Sequence, residues 1–183
     1  LDGDGIVDLA VGDSTGQNDT RNIGLNDTDE GAIYILFLNK TGGVKNSTKI
    51  SDSLNGGPTL SVGDHFGSSI ASLGDLDGDG VNDLAVGAED DDSNSENEGA
   101  IYILFMNKNG TVKSNTKIYN GVQGFNQNSL INFDSFGFSV EGVGDLDNNG
   151  LPDLVVGADR DENNDNSEGA IYFLFLNSNG SVN

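Results

Sequence analysis

Four aspartates lie within nine residues in the middle of the chain, in the stretch GDLDGDGVNDLAVGA at 74–88. Carboxylates this close repel one another in a partly desolvated loop, so the pattern favours a bound cation. Numbered from Asp75, the loop has aspartate at positions 1, 3, 5 and 9, the turn-forming Gly80 at position 6 and the Val81 carbonyl at position 7. Hard oxygen ligands at alternating positions suit Ca²⁺ better than Mg²⁺. Softer metals lack ligands, because the chain has no Cys and one His. The predicted calcium ligands are Asp75, Asp77, Asp79, Val81 (carbonyl) and Asp83.

The same loop occurs three times in register. In the third copy the predicted ligands are Asp145, Asp147, Asn149, Leu151 (carbonyl) and Asp153. In the first copy they are Asp2, Asp4, Ile6 (carbonyl) and Asp8, and we expect a further ligand to precede Leu1. The alternative is a set of Asx turns without metal, but three such loops favour metal binding. The loop differs from an EF-hand, which needs Glu at position 12 between helices; here Val86 stands there, within a predicted strand.

Two sequence blocks show that the chain is built from repeats. They are DGDGIVDLAVG (2–12), DGDGVNDLAVG (77–87) and DNNGLPDLVVG (147–157), and EGAIYILFLN (30–39), EGAIYILFMN (98–107) and EGAIYFLFLN (168–177). Each repeat reads as four short strands, A to D, which in the second copy are FGSSIASLG, DLAVGA, GAIYILFMN and TVKSNTKI. Strand C is apolar on both faces, so we expect its sheet to be covered on both sides. The recurring Tyr34, Tyr102 and Tyr172 of strand C are expected in the core.

Repeated four-stranded antiparallel sheets, each buried between neighbours, are typical of β-propeller blades. We therefore predict an all-β chain of three blade-type repeats: 1–62 without its first strand, 63–131, and 132–183 without most of its last strand. Closed propellers have about four to eight blades. We expect an incomplete propeller or an open array from a longer protein, or sheets completed by neighbouring copies of the chain, because open strand edges associate.

Charge and composition exclude several classes of function. The formal net charge of −22 disfavours nucleic acid and anionic membrane surfaces as partners. No apolar run approaches the roughly 18 residues of a membrane span, so no membrane insertion is expected. The sequence contains no nucleophile-elbow, P-loop or metal-hydrolase pattern, so we predict a protein that is not an enzyme.

Three further features have ordinary explanations beside functional ones. The acidic B–C loops at 89–98 and 159–168 are either solvated or hold a second cation. His65 is expected to be a loop residue, since the third repeat has Ser135 in its place. Sequons that are candidates for N-linked glycans begin at Asn18, Asn26, Asn39, Asn46, Asn109 and Asn179.

The stretch FGSSIASLGDLDGDGVNDLAVGA, followed by GAIYILF, resembles the FG-GAP repeat of integrin α-subunit β-propellers and related microbial surface proteins. This resemblance implies a propeller blade with Ca²⁺ in the A–B loop and an extracellular or cell-surface location. It also implies adhesion or structural assembly through a protein partner or neighbouring copies. The chain departs from the pattern with GAE, GAD and GDS in place of the proline-containing element. Two alternatives stay open: a self-assembling filament or lattice formed by strand exchange, and the accessory propeller of a larger secreted enzyme.

Overall fold

Every regular element in the described part of the chain is a β-strand, which confirms the predicted all-β class. The computed structural model describes residues 1–15, 30–93, 96–125, 130–161 and 168–183. The strands are β1 (Leu9–Asp13), β2 (Ala32–Leu38), β3 (Val44–Ile50), β4 (Phe66–Gly74), β5 (Asp83–Ala88), β6 (Ala100–Met106), β7 (Val112–Ile118), β8 (Phe136–Gly144), β9 (Asp153–Ala158) and β10 (Ala170–Leu174). No described helix is long and apolar enough to cross a membrane.

The strands form three antiparallel sheets of the kind found in propeller blades. The middle sheet has the order β4-β5-β6-β7, so the predicted strands A to D pair in sequence. Among the described residues, the first sheet, β1-β2-β3, has no strand equivalent to β4. In the third, β8-β9-β10, a single bridge between Leu176 and Val182 stands where β7 pairs in the middle sheet. These sheets do not close into a ring within the described residues. The division at 62/63 and 131/132 stays a prediction.

The middle sheet is buried on both faces, as the pattern of its strand C requires. Every residue of β5 and β6 is buried. Tyr102, Leu104 and Met106 pack with the first sheet, whereas Ile101, Ile103 and Phe105 pack with the third. Burying each such side chain contributes about 1.5–3 kcal/mol, so the two interfaces hold the three sheets together.

The outer faces of the first and third sheets are more exposed. Ile171 and Phe173 are 67% and 59% exposed, although their counterparts in the middle sheet are fully buried. Tyr34, which we expected in the core, is only half-buried and lies under the Lys49 ammonium, 5.7 Å from the ring centroid. Its sheet has no further described sheet against that face. Tyr102, between two sheets, is buried as expected.

Backbone contacts also join each repeat to the next. The Phe66 amide donates to the Glu30 carbonyl (3.0 Å), and the Phe136 amide donates to the Glu98 carbonyl (2.9 Å). The residue after each glutamate is a glycine with positive φ that forms a parallel bridge to the same phenylalanine. A Cβ on Gly99 would lie 2.2 Å from the Phe136 carbonyl oxygen. Only glycine allows the two repeats to approach this closely.

Candidate metal centre

The aspartate loops connect strands A and B, and the loops of the second and third repeats each fold around their first aspartate. In the second repeat, Asp75 accepts hydrogen bonds from the amides of Asp79 and Gly80, both at 2.9 Å. In the third repeat, Asp145 accepts the amides of Asn149 (3.0 Å) and Gly150 (2.9 Å). Gly80 has a φ of +85°, a conformation that glycine adopts without strain. The two loops therefore share one backbone geometry.

The aspartate at position 9 is a clamp between the loop and strand C. Asp83 is fully buried, and its carboxylate accepts the amides of Leu76 and Met106, both at 2.9 Å. Asp153 makes the same pair of bonds, to the amides of Leu146 (2.8 Å) and Leu176 (3.0 Å). Burial raises the pKa of Asp83, although the two amide bonds oppose the shift. Sequence reasoning assigned this position a ligand role only and missed the clamp.

Carboxylates converge in two of the three loops. One oxygen each from Asp75, Asp77 and Asp83 lies within 4.8 Å of the others, and the same holds for Asp145, Asp147 and Asp153. Three anionic oxygen donors in so small a volume fit a hard divalent cation, and Ca²⁺ accepts such all-oxygen shells of 6–8 ligands. The residues present therefore fit the ion that the sequence predicts. When bound, the ion would supply the positive charge that offsets this repulsion.

The first loop is arranged differently in the described structure. Asp2, Asp4 and Asp8 do not form a group of this kind. The Lys45 ammonium contacts both Asp2 (2.7 Å) and Asp4. The position equivalent to Asp75, which supplies one of the converging oxygens in the second loop, is not among the described residues of the first loop. The metal assignment of this loop stays a prediction.

The predicted carbonyl ligands follow a common hydrogen-bond pattern. The amides of Ile6, Val81 and Leu151 each donate to the side chain two residues earlier, at 2.8, 2.9 and 2.7 Å. These are the Asx turns of the alternative interpretation, and they coexist with the converging carboxylates. The role of the three carbonyls as ligands stays a prediction.

A lysine from strand D reaches the second loop, a contact that sequence reasoning missed. Lys113 Nζ lies 2.5 Å from Asp77 Oδ2 and also contacts Asp79 Oδ2. Hydrogen bonds to these carboxylates raise the pKa of Lys113, and the bond from Lys113 lowers the pKa of Asp79. Asp79 is outside the converging group. The sequence feature that could have indicated this contact is the recurring Val-Lys pair at 44–45 and 112–113.

In the described part of the acidic B–C loop at 89–98, a buried carboxylate is paired with donors from the protein itself. Asp91 is buried and accepts hydrogen bonds from the Tyr102 hydroxyl (3.0 Å) and the Ser93 amide (3.0 Å). The Lys117 ammonium lies 2.6 Å from the same carboxylate and 5.1 Å from the Tyr102 ring centroid. Lysine therefore supplies the cation here. Residues 94–95 and 162–167 of the two loops lie outside the described residues.

The remaining sequence candidates among the described residues lie at the surface. His65 is a half-buried loop residue with a φ of +54°, and its Nδ1 lies 2.7 Å from Asp90. The sequons at Asn18 and Asn26 lie outside the described residues. The asparagines exposed in the C–D hairpins are Asn39, Asn46, Asn109 and Asn179.

Asp64 gives the fold a pH dependence of defined sign. Burial raises the pKa of this carboxyl from 3.8 to about 6, assisted by Asp91 and Asp92 and opposed by the Ser61 amide and Lys117. Because the folded pKa is above the unfolded one, the contribution of Asp64 to stability is present below about pH 4 and is lost as pH rises through about 6.

We expect Asp64→Asn to be more stable than the native chain at pH 8, by at most about 3 kcal/mol, since one pKa unit corresponds to about 1.4 kcal/mol. The advantage should decrease steadily toward pH 4. Urea unfolding at saturating calcium across this pH range measures the difference. Glu141→Gln, which removes an exposed charge, is the control. A difference that does not change with pH would contradict the assignment.

The comparisons with known proteins agree with this architecture. The FG-GAP repeat family profile matches residues 66–104 and 136–174. The chain is 33% identical to integrin alpha-2 of Mus musculus over 159 residues, covering 86% of this chain and 12% of that protein. It is 34% identical to integrin alpha-3 of Cricetulus griseus over 161 residues, covering 86% and 13%. It is 44% identical to integrin alpha-5 of Xenopus laevis over 93 residues, covering 51% and 8%.

The matched segments coincide with the described strands. Each profile match begins at the first residue of a strand A, β4 or β8, and ends in strand C. The chain spans no more than 13% of the length of these three relatives, so their complete activities do not transfer with the similarity. The chain therefore contains two FG-GAP repeats and is similar along most of its length to integrin α subunits, which carry these repeats in a β-propeller.

Proposed function

We propose that this chain is a calcium-stabilised β-propeller segment of an extracellular or cell-surface protein that acts in adhesion or structural assembly. The observation that carries the calcium assignment is the convergence of three carboxylates at equivalent positions in two consecutive repeats. Asp75, Asp77 and Asp83, and their counterparts in the third repeat, would hold the ion. Calcium there supplies charge neutralisation. The clamp aspartates Asp83 and Asp153 connect each loop to strand C through hydrogen bonds from strand C amides.

The extracellular part of the proposal is supported by the similarity to integrin α subunits. Extracellular calcium modules with oxygen ligands have Kd values of about 10⁻⁴–10⁻³ M, so the calcium outside the cell fills sites of that class. A protein partner and glycans on the exposed C–D hairpins belong to the same proposal. We also propose a non-enzymatic role, which is supported by the engagement of Asp77, Asp83 and Asp91 with backbone amides and lysines.

Surface labelling of intact cells that express the full-length protein tests the location. Antibodies raised against this chain should label cells that have not been permeabilised, and an antibody to a cytosolic protein serves as the negative control. Digestion with an amidase that removes N-linked glycans should reduce the mass if the hairpin sequons are used. Labelling that requires permeabilisation would contradict the extracellular assignment.

Self-assembly is the second candidate function, and one observation favours it. Ile171 and Phe173 form an open apolar face on the third sheet, and their counterparts Ile101 and Ile103 are buried against a neighbouring sheet. A sheet from another copy would cover this face in the same way. Sedimentation velocity over a hundredfold concentration range distinguishes the candidates, because assembly predicts a rising sedimentation coefficient and a monomer predicts a constant one.

A further inference from the structure

We propose that Lys45 and Lys113 are internal counter-ions of the aspartate loops: each holds its loop together without metal and competes with calcium for the same carboxylates. The inference rests on the proposed calcium site and deepens it, since it identifies a residue of strand D that sets the affinity of the loop. Neither lysine is among the predicted ligands.

The first argument is geometric. Lys113 projects from β7 and contacts Asp77 and Asp79, at loop positions 3 and 5. Lys45, at the equivalent place in β3, contacts Asp2 and Asp4, which occupy the same two positions of the first loop. Two repeats thus place an ammonium group on the same pair of carboxylates. Asp77 also belongs to the converging group that would hold the ion.

The second argument is a correlation among the repeats. Where position 5 is an aspartate, strand D carries the lysine; in the third repeat position 5 is Asn149, and Asn183 stands in the lysine's place. The side-chain amide of Asn149 donates to Asp147 Oδ2 at 3.2 Å, and Asp147 is the equivalent of Asp77, which Lys113 contacts in the second repeat. Four aspartates and one lysine give the second loop a charge of −3 (−4 + 1), equal to the −3 of three aspartates in the third.

The consequence for calcium follows from electrostatics. An ammonium group and a divalent ion on the same carboxylate repel each other, so calcium binding is weakened unless the lysine withdraws. The Lys113 side chain is 35% exposed and flexible, which allows it to move into water. Without metal, the same lysine reduces the repulsion among the aspartates. Removing its charge should therefore strengthen calcium binding and weaken the metal-free loop.

The test is a calcium titration of the chelator-treated protein, followed by NMR at the amides of Gly80 and Gly150. Each amide donates to the first aspartate of its own loop, so the two report the loops separately. In Lys113→Met the calcium midpoint at Gly80 should fall about 3- to 10-fold, on the scale expected for a partly exposed ion pair. The midpoint at Gly150 should not move, and the metal-free protein should melt at a lower temperature.

Two matched variants complete the design. Lys40→Met removes the same charge from an exposed turn of the first repeat and should leave the Gly80 midpoint within twofold of the native value. Lys113→Arg keeps the charge and should restore the native midpoint. An unchanged or raised Gly80 midpoint in Lys113→Met would overturn the inference and leave the calcium site standing. Failure of both glycine amides to respond to calcium would overturn the calcium assignment itself.

Discussion

Replacing Gly99 by alanine should lower the free energy of unfolding by about 3–5 kcal/mol, among the largest effects of a single methyl group. Gly99 has a φ of +88°, which costs about 1–2 kcal/mol for an L-residue. The added Cβ would also lie 2.2 Å from the Phe136 carbonyl oxygen, so the bridge between the second and third repeats must open. The hydrogen bond from the Phe136 amide to the Glu98 carbonyl would then be lost.

Gly121→Ala separates the two causes. Gly121 has a nearly equal φ of +82°, but a Cβ there meets nothing within 4 Å. This variant should therefore lose only the conformational part, about 1–2 kcal/mol. Urea unfolding of both proteins, in the same calcium concentration, measures the difference. Equal losses in the two variants would mean that the close approach of the repeats at Gly99 does not contribute.

Removal of calcium should have an effect of similar size. Saturation of one site at 100 times its Kd stabilises the folded state by about 2.7 kcal/mol, so two independent loops contribute about 5 kcal/mol. For a chain of this length, about 2–4 °C accompany each kcal/mol, which gives a fall of roughly 10–20 °C in Tm. The physical cause is the repulsion among Asp75, Asp77 and Asp83 and among their third-repeat counterparts, which the ion offsets.

The strands were predictable from the sequence because the same strand segments recur in each repeat. The predicted strand A, FGSSIASLG, is β4, and DLAVGA is β5, residue for residue. Apolar residues on both faces of GAIYILFMN required two covering sheets, and both are present around β6. Of the four aspartates predicted as ligands in the second loop, Asp75, Asp77 and Asp83 converge and Asp79 lies outside the group, and the ligand sets themselves stay predictions.

Contacts across the sheet were not predictable from loop spacing. The clamp by Asp83 joins residues 23 apart in sequence, and the Lys113 contact joins residues 34 to 36 apart. The clamp depends on the register between β5 and β6, and the lysine contact depends on the register between β6 and β7, which shifts between Phe105 and Met106. The half-buried state of Tyr34 has a similar origin, because its burial depends on a neighbouring sheet and not on its own strand.

The most direct test of the central claim is a thermal melt of the purified chain in calcium and in a calcium chelator, repeated in the chelator with excess magnesium. The account predicts a Tm lower by roughly 10–20 °C in the chelator. Added calcium should restore the native Tm, but magnesium should not, because it keeps its waters and prefers an octahedral shell. A Tm that is unchanged by the chelator would mean that the aspartate loops are Asx turns without a structural metal, and would contradict the account.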